Sequence, residues 1–310
     1  MTNIACLFPG QGSQAVGMGR SLHDHSAQAR ELFEKADEIL GYKISRIAFE
    51  GPEEELRLTQ NTQPALLIVS VAAFRLLGLE PAVGAGHSLG EYSALVAAGT
   101  LRFEDAVLLV HKRGRFMQEA VPVGTGAMAA VLGFGRDKIQ EALEKVSSGV
   151  VEIANWNSEE QTVIAGHKEA VEEALTLIKA PRSVMLPVSA PFHTRLMMPA
   201  EIRLTEELDK VPFRDPEFPI ITNVEARLIR SGEEAREALK RQVSRAVLWS
   251  ATMAALKGMN LGAVVELGSG KVLSGLLKRA ARSWPGAPSV FNAEDWEGLE
   301  KTREALSGLA

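Results

Sequence analysis

The segment Gly86-His87-Ser88-Leu89-Gly90 is a G-x-S-x-G. It follows a short small-residue strand expected over 82–87 and opens a helix expected from Leu89 to Ala98. In that setting the pattern builds a nucleophile elbow, a tight turn that lifts a serine oxygen above the edge of a sheet. Glycines on either side leave the strained turn unobstructed. The Leu89 N–H then lies at a helix N-terminus, where it can stabilise an oxyanion. The rival reading is a glycine-rich packing turn, and the difference lies in whether the chain supplies a base.

Three histidines follow Ser88. His111 falls inside a predicted helix and His167 at the start of another. His193 sits in Ser189-Ala190-Pro191-Phe192-His193, a proline-held loop of the kind that presents catalytic groups from a rigid scaffold. A histidine after a proline is more often structural, but paired with the elbow His193 is the best base. His87 adjoins Ser88, and neighbouring side chains point apart, so it is read as a support. Arg113 follows Leu109 by four residues and precedes Met117 by four, on an apolar helical stripe. An arginine facing a core wants a carboxylate or phosphate, which its planar fork grips with two bonds.

Other patterns are weaker. Phe8-Pro9-Gly10-Gln11-Gly12-Ser13-Gln14, with Ala15, also satisfies a dinucleotide fingerprint. Pro9 interrupts the run, however, and no acidic residue ends a second strand ~20 residues on. The loop is better placed to deliver a second oxyanion N–H, from Gln11. Gly268-Ser269-Gly270-Lys271-Val272 fails the phosphate-loop pattern at Val265 and Val272. His23-Asp24-His25 offers no third metal ligand and reads as a solvated turn.

The elements that must position these residues alternate between strand and helix periods over 310 residues, as in an α/β protein. Ile4–Phe8 reads as a strand and Ala27–Leu40 as an amphipathic helix. Asn61-Thr62-Gln63-Pro64 reads as a helix start with Pro64 in the first turn. Between 123 and 190 the order becomes βαββαβ: Ala127–Leu132, Arg136–Val146, Val150–Asn155, Thr162–Ala165, Lys168–Leu177 and Val184–Val188. That order is ferredoxin-like. The large unit then resumes with strands near Ile220–Asn223 and Ala263–Leu267. The expected fold is therefore α/β: an α/β-hydrolase-like catalytic domain with a parallel sheet and nucleophile elbow over 1–122 and 191–310, and a ferredoxin-like subdomain inserted at 123–190.

Composition narrows the function classes. Hydrophobic residues make up 46% and charged residues 24%, an ordinary globular balance. A formal charge of −5 argues against a nucleic-acid-binding protein. The longest apolar run, Pro64 to Phe74, is far short of the ~20 residues that span a bilayer. One cysteine, Cys6, cannot form an internal disulfide. No signal peptide is visible, since the first basic residue is Arg20. A cytoplasmic monomer with no membrane partner is the expectation.

These pieces together resemble the malonyl-CoA:acyl carrier protein transacylases of fatty acid synthesis. The resemblance rests on FPGQGSQ at 8–14, NTQPAL at 61–66, GHSLGEYSAL at 86–95 and RGRFMQEAVP at 113–122. Farther on come GTGAMAAVLG at 124–133, NSEEQTVIAGH at 157–167, PVSAPFHT at 187–194 and ELGSGKVLSGL at 266–276. It covers nearly the whole chain. It implies that Ser88 is acylated, that His193 is its base and acid, and that Gln11 and Leu89 form the oxyanion hole. It further implies that Arg113 holds the malonyl carboxylate and that the Gln242 main-chain carbonyl orients the histidine. Asn157 would line the substrate cleft, and Phe192 matches the malonyl-associated form of its motif. Ser269 departs from the family, where many relatives carry proline; a looser turn is expected there, without loss of chemistry.

The implied reaction is ping-pong transfer from malonyl-CoA to the phosphopantetheine thiol of acyl carrier protein, with no metal and no tightly bound cofactor. Carrier proteins of this pathway are acidic. Lys271, Lys278 and Arg282, on one predicted helix, are candidates for a basic docking face, against the plainer reading of a solvated helix. Three alternatives remain: an acyltransferase serving a polyketide line, a serine thioesterase or hydrolase that sends the acyl group to water, and a non-catalytic nucleotide-binding protein.

Overall fold

A computed structural model describes residues 3–188 and 190–309. Ser189, in the histidine loop, and the outer ends of the expected domains at positions 1 and 310 lie outside the described residues. Among these, the strands in chain order are β1 (Ile4–Phe8), β2 (Val83–Gly86), β3 (Gly126–Leu132), β4 (Val151–Ser158) and β5 (Gln161–His167). They continue as β6 (Arg182–Met185), β7 (Ile220–Ile221), β8 (Leu228–Ile229), β9 (Ala263–Leu267) and β10 (Ser289–Ala293).

Six strands form one sheet in the order β10-β9-β1-β2-β7-β8. All neighbours are parallel except β7 and β8. Parallel strands need crossover connections, which bury both faces of the sheet. β1, β2 and β9 accordingly read as apolar runs, IACLF, VGAG and AVVEL, buried almost throughout. Phe8 pairs with Gly86 at the carboxyl ends of β1 and β2. The Gly10 loop and the elbow therefore leave the sheet side by side. Open α/β sheets bind ligands at these carboxyl ends.

The other sheet is antiparallel, in the order β4-β5-β3-β6, with helices Arg136–Leu143 and Lys168–Ile178 packed against it. It meets the large unit where β4 touches the segment after Gln242. Trp156 N–H donates to Val247 O at 2.9 Å, and Val247 N–H donates to Ala154 O at 2.9 Å.

The expected helix over Ala27–Leu40 has those bounds, with the Ser26 hydroxyl accepting from Ala29 N–H at its start. The helix expected to begin near Asn61 instead spans Thr59–Leu77 and holds Pro64 inside it. Its start is set by Leu58 O, which accepts the N–H groups of Asn61 and Thr62. Pro64 has no N–H for Gln60 O, and the His111 ring meets that carbonyl at 3.0 Å instead. The strand expected over Ile220–Asn223 ends at Ile221, because Thr222 and Asn223 turn beneath the elbow. β6 stops at Met185, short of Val188, where Pro187 turns the chain away.

Candidate active site

The elbow is built by close approach. A Cβ on Gly90 would lie 1.9 Å from Phe8 O, and one on Gly86 1.9 Å from Gly90 C and O. Only residues without side chains let β1, β2 and the helix Leu89–Ala97 meet this tightly. Between them Ser88 takes φ 52° and ψ −107°, a left-handed backbone that non-glycine residues rarely adopt. Such strain persists only where the surroundings enforce it. Its N–H donates to Asn223 Oδ1 at 2.6 Å, and Asn223 Nδ2 donates to Gly86 O at 2.6 Å.

His193 also has a positive φ, 61°, and is 4% exposed. Its Nε2 lies 2.8 Å from Ser88 Oγ and its Nδ1 lies 2.9 Å from Gln242 O. A carbonyl only accepts, so Nδ1 carries the proton and the Nε2 lone pair faces the serine hydroxyl. Burial, and then the positive charge of Arg113, hold the imidazole down to about 3, so it is neutral at neutral pH.

Arg113 is 1% exposed. The helix that carries it, Phe103–Glu119, crosses Thr59–Leu77 at Gly114, where a Cβ would lie 2.5 Å from Thr59 O. That crossing brings Arg113 Nη1 to Gln63 Oε1 at 2.9 Å. Arg113 Nη2 donates to Gln242 Oε1 at 2.9 Å and to Ser88 Oγ at 3.1 Å. Among the described residues no carboxylate forms an ion pair with it. Its hydrogen-bond partners are neutral and Glu91 acts on it only from a distance, so the buried guanidinium suits an anionic ligand.

These groups line one cleft of about 420 Å³, with Gln11, Gln63, Met117, Asn155 and Phe192 among its walls. The N–H of Leu89 is one that a helix's first turn cannot pair internally. Asn157 reaches His87, its Oδ1 at 2.9 Å from His87 Nε2. Asn155, one turn of the pleat earlier on β4, lines the cleft, and Asn157 is not among its walls. The His87 ring also packs on Trp249 at 5.3 Å and borders the same cleft.

The three candidate docking cations do not share one face. Lys271 pairs with Glu294 at 2.5 Å, and Lys271 and Lys278 border a groove with Glu294, Asp295 and Glu297. Arg282 borders a different groove, with Lys257 and Arg279. Ser269 Oγ donates to Ser13 O at 2.7 Å, tying its turn to the Gly10 loop.

Sequence reasoning missed Gln63, Glu91, Asn155 and Asn223. Gln63, beside Pro64 at the polar start of Thr59–Leu77, and Glu91, in the first turn of Leu89–Ala97, both fall inside motifs already singled out, NTQPAL and GHSLGEYSAL. Nothing in Thr222-Asn223-Val224 marks Asn223.

A serine on an elbow, a neutral histidine on its oxygen and a buried arginine beside both form a site for moving an acyl group, and the comparisons agree. The chain is 46% identical over 290 residues to the malonyl CoA-acyl carrier protein transacylase of Bacillus subtilis, covering 91% of this chain and 92% of that one. It is 47% identical over 287 residues to the Escherichia coli enzyme of the same name, at 90% and 93% coverage. The Coxiella burnetii transacylase structure superposes with TM-score 0.94 at 40% identity, covering 98% of each chain. A malonyl-transacylase solved with its type II PKS acyl-carrier protein superposes with TM-score 0.94 at 41% identity, covering 98% of this chain and all of that one. The acyl transferase domain model matches residues 6–298, and by these matches and this site the chain belongs to the acyl transferase family.

Proposed function

We propose that this protein carries a malonyl group from malonyl-CoA to the phosphopantetheine thiol of acyl carrier protein, in fatty acid synthesis. One observation carries the residue assignment: Ser88 Oγ is shared between His193 Nε2 at 2.8 Å and Arg113 Nη2 at 3.1 Å.

In this reading Ser88 Oγ attacks the thioester carbonyl while its proton passes to His193 Nε2, a step worth typically ~10²–10⁴-fold. The Gln242 carbonyl keeps the imidazole in the tautomer that can accept that proton. The N–H groups of Leu89 and Gln11 take the tetrahedral oxyanion, each worth roughly 3 kcal/mol. The C–S bond breaks, and His193 returns the proton to the departing CoA sulfur. The incoming phosphopantetheine thiol then gives its proton to His193 and attacks the malonyl-serine ester. The C–O bond breaks and Ser88 recovers its proton. Arg113 binds the malonyl carboxylate, whose charge offsets the second cause of the low His193 basicity. Phe192 and Asn155 shape the acyl pocket, and Asn157 acts on it through His87. Side chains and backbone groups of this chain carry every step, so the scheme calls for no tightly bound cofactor.

The fold reading that accompanies this is an α/β-hydrolase-like domain over 1–122 and 191–310, with a ferredoxin-like subdomain at 123–190. Support comes from the strand-elbow-helix at Ser88 and the βαββαβ order of the antiparallel sheet. Among the described residues no helix is long and apolar enough to cross a membrane. A cytoplasmic site is proposed because CoA thioesters and a reduced lone cysteine belong together there.

Intact-mass spectrometry after brief mixing with malonyl-CoA, then a chase with phosphopantetheinylated carrier protein, tests the scheme. The expected malonyl adduct is absent in Ser88→Ala and moves to the carrier. Decay to free malonate regardless of carrier would make the protein a hydrolase, and no adduct would remove the nucleophile assignment.

A further inference from the structure

The acyl-transfer scheme leaves a buried acid unused. Glu91 lies one helical turn past Ser88 and is 1% exposed. Its Oε2 accepts from Asn223 N–H at 3.0 Å and from Gln242 Nε2 at 2.8 Å. Each of those two residues then holds the reacting groups. Asn223 binds the Ser88 N–H and the Gly86 carbonyl, both at 2.6 Å. Gln242 Nε2 also donates to Ser88 O at 3.0 Å, while its Oε1 accepts from Arg113 Nη2 at 2.9 Å. Three backbone groups of the turn 86–88 are thereby fixed from outside the turn. The acid and the guanidinium sit at opposite ends of a single amide.

We infer that Glu91 and Asn223 are positioning residues for the transfer: Glu91 is the shared acceptor that aligns Ser88 through Asn223 and Arg113 through Gln242. The inference rests on the Ser88 and Arg113 assignments above. What matters is the acceptor at Oε2. A glutamine in its place can present a carbonyl oxygen to both donors and put its NH₂ where Oε1, which has no partner among the described residues, now lies. An alanine leaves two buried donors unsatisfied, an expensive condition.

The test follows Ser88 with two reagents on the full chain: malonyl-CoA, and a sulfonyl fluoride that labels reactive serines and carries no carboxylate for Arg113 to hold. Circular dichroism first establishes that each variant is folded. Asn223→Ala is expected to lower both labelling rates about tenfold or more, the scale of an unsatisfied buried polar group. The fall should appear in kcat, with KM for malonyl-CoA little changed. Glu91→Ala should lower both rates and narrow the preference for malonyl-CoA over acetyl-CoA, and Glu91→Gln should recover most of that loss. Asn223→Asp, of equal volume, keeps the acceptor for Ser88 N–H but loses the donor to Gly86 O, and should label at an intermediate rate. Folded alanine variants that label like the parent would overturn the inference, as would equal losses in Glu91→Gln and Glu91→Ala. If Glu91→Ala and Asn223→Ala do not fold, a parental labelling rate in Asn223→Asp overturns it instead. A parent labelled by the sulfonyl fluoride but not by malonyl-CoA would sink the malonyl reading and leave the positioning role standing.

Discussion

Arg113 Nη2 donates to Ser88 Oγ across 3.1 Å, so the group assigned to the substrate's far end also touches the nucleophile at its near end. The same hydroxyl lies 2.8 Å from His193 Nε2. With the guanidinium donating, the serine's own proton is directed at the imidazole. A malonyl carboxylate entering beside Arg113 supplies the counter-charge that, among the described residues, none provides by direct contact. Specificity and nucleophile orientation thus meet in one side chain.

Replacing that side chain should separate substrates. A charge-assisted pair is worth ~1.5–3 kcal/mol, so Arg113→Ala should lower malonyl transfer ten- to hundredfold relative to acetyl transfer. Steady-state kcat/KM with malonyl-CoA and acetyl-CoA measures the ratio. Equal losses on both would mean that Arg113 serves Ser88 and Gln242 and not the carboxylate.

The acid side of the pH profile should be unusual. Burial and the Arg113 charge depress His193 to about 3, so the free enzyme keeps a neutral base well below the ordinary histidine value of ~6.5. The kcat/KM profile for Ser88 acylation, which reports the free enzyme, should stay flat on falling from neutral pH through that value. Arg113→Ala removes the second cause and should move the acid limb upward. Limbs at the ordinary value in both proteins would contradict this account. So would a parental limb near pH 7 that disappears in Glu91→Gln, which would give control to the charge of Glu91.

What the sequence made legible was local chemistry. Gly86 to Gly90 announces the turn because its constraint lies in neighbouring residues, and the apolar stripe around Arg113 announces its burial. His193 could be chosen because few histidines follow Ser88. The network beneath the elbow was not readable in the same way. Asn223 and Glu91 are 132 positions apart, and only the turn after Ile221 brings them together. The start of the helix Thr59–Leu77 was misplaced for a related reason. Pro64 is tolerated inside it because His111, from a distant helix, meets the carbonyl that proline leaves free.

Glu91 should leave a mark on stability. Burial raises its carboxyl to about 7, against the partial relief given by Gln242, Asn223 and Arg113. The folded state then holds a proton that the unfolded chain releases above ~4.3. Stability is therefore lost as pH rises from the unfolded value through the folded one, by an amount on the order of 3 kcal/mol. Glu91→Gln cannot ionise and should lack this decline. Melting temperatures of the two proteins, measured between pH 4.5 and 8, should diverge as pH rises, with the parent falling relative to the variant. Parallel curves would mean that Glu91 ionises normally in the folded protein.

The elbow itself should tolerate no added methyl group. A Cβ at position 90 would lie 1.9 Å from Phe8 O and 3.0 Å from Pro9 O, and both obstacles are backbone. Neither can swing aside as a side-chain tip would, so either β1 or the helix Leu89–Ala97 must shift. Overpacking a tight site typically costs ~1–3 kcal/mol, and more where backbone must move. Gly90→Ala should thus lower the melting temperature and, in whatever fraction stays folded, abolish acylation of Ser88, because the displaced helix carries the Leu89 N–H away from the oxyanion. Gly12→Ala is the contrast. Its Cβ would meet nothing within 4 Å, although its φ of 105° still carries backbone strain. It should lose some stability and keep a working nucleophile, read as a malonyl adduct by intact mass. If Gly90→Ala forms that adduct at the parental rate, close packing of the elbow against β1 is not what positions the serine.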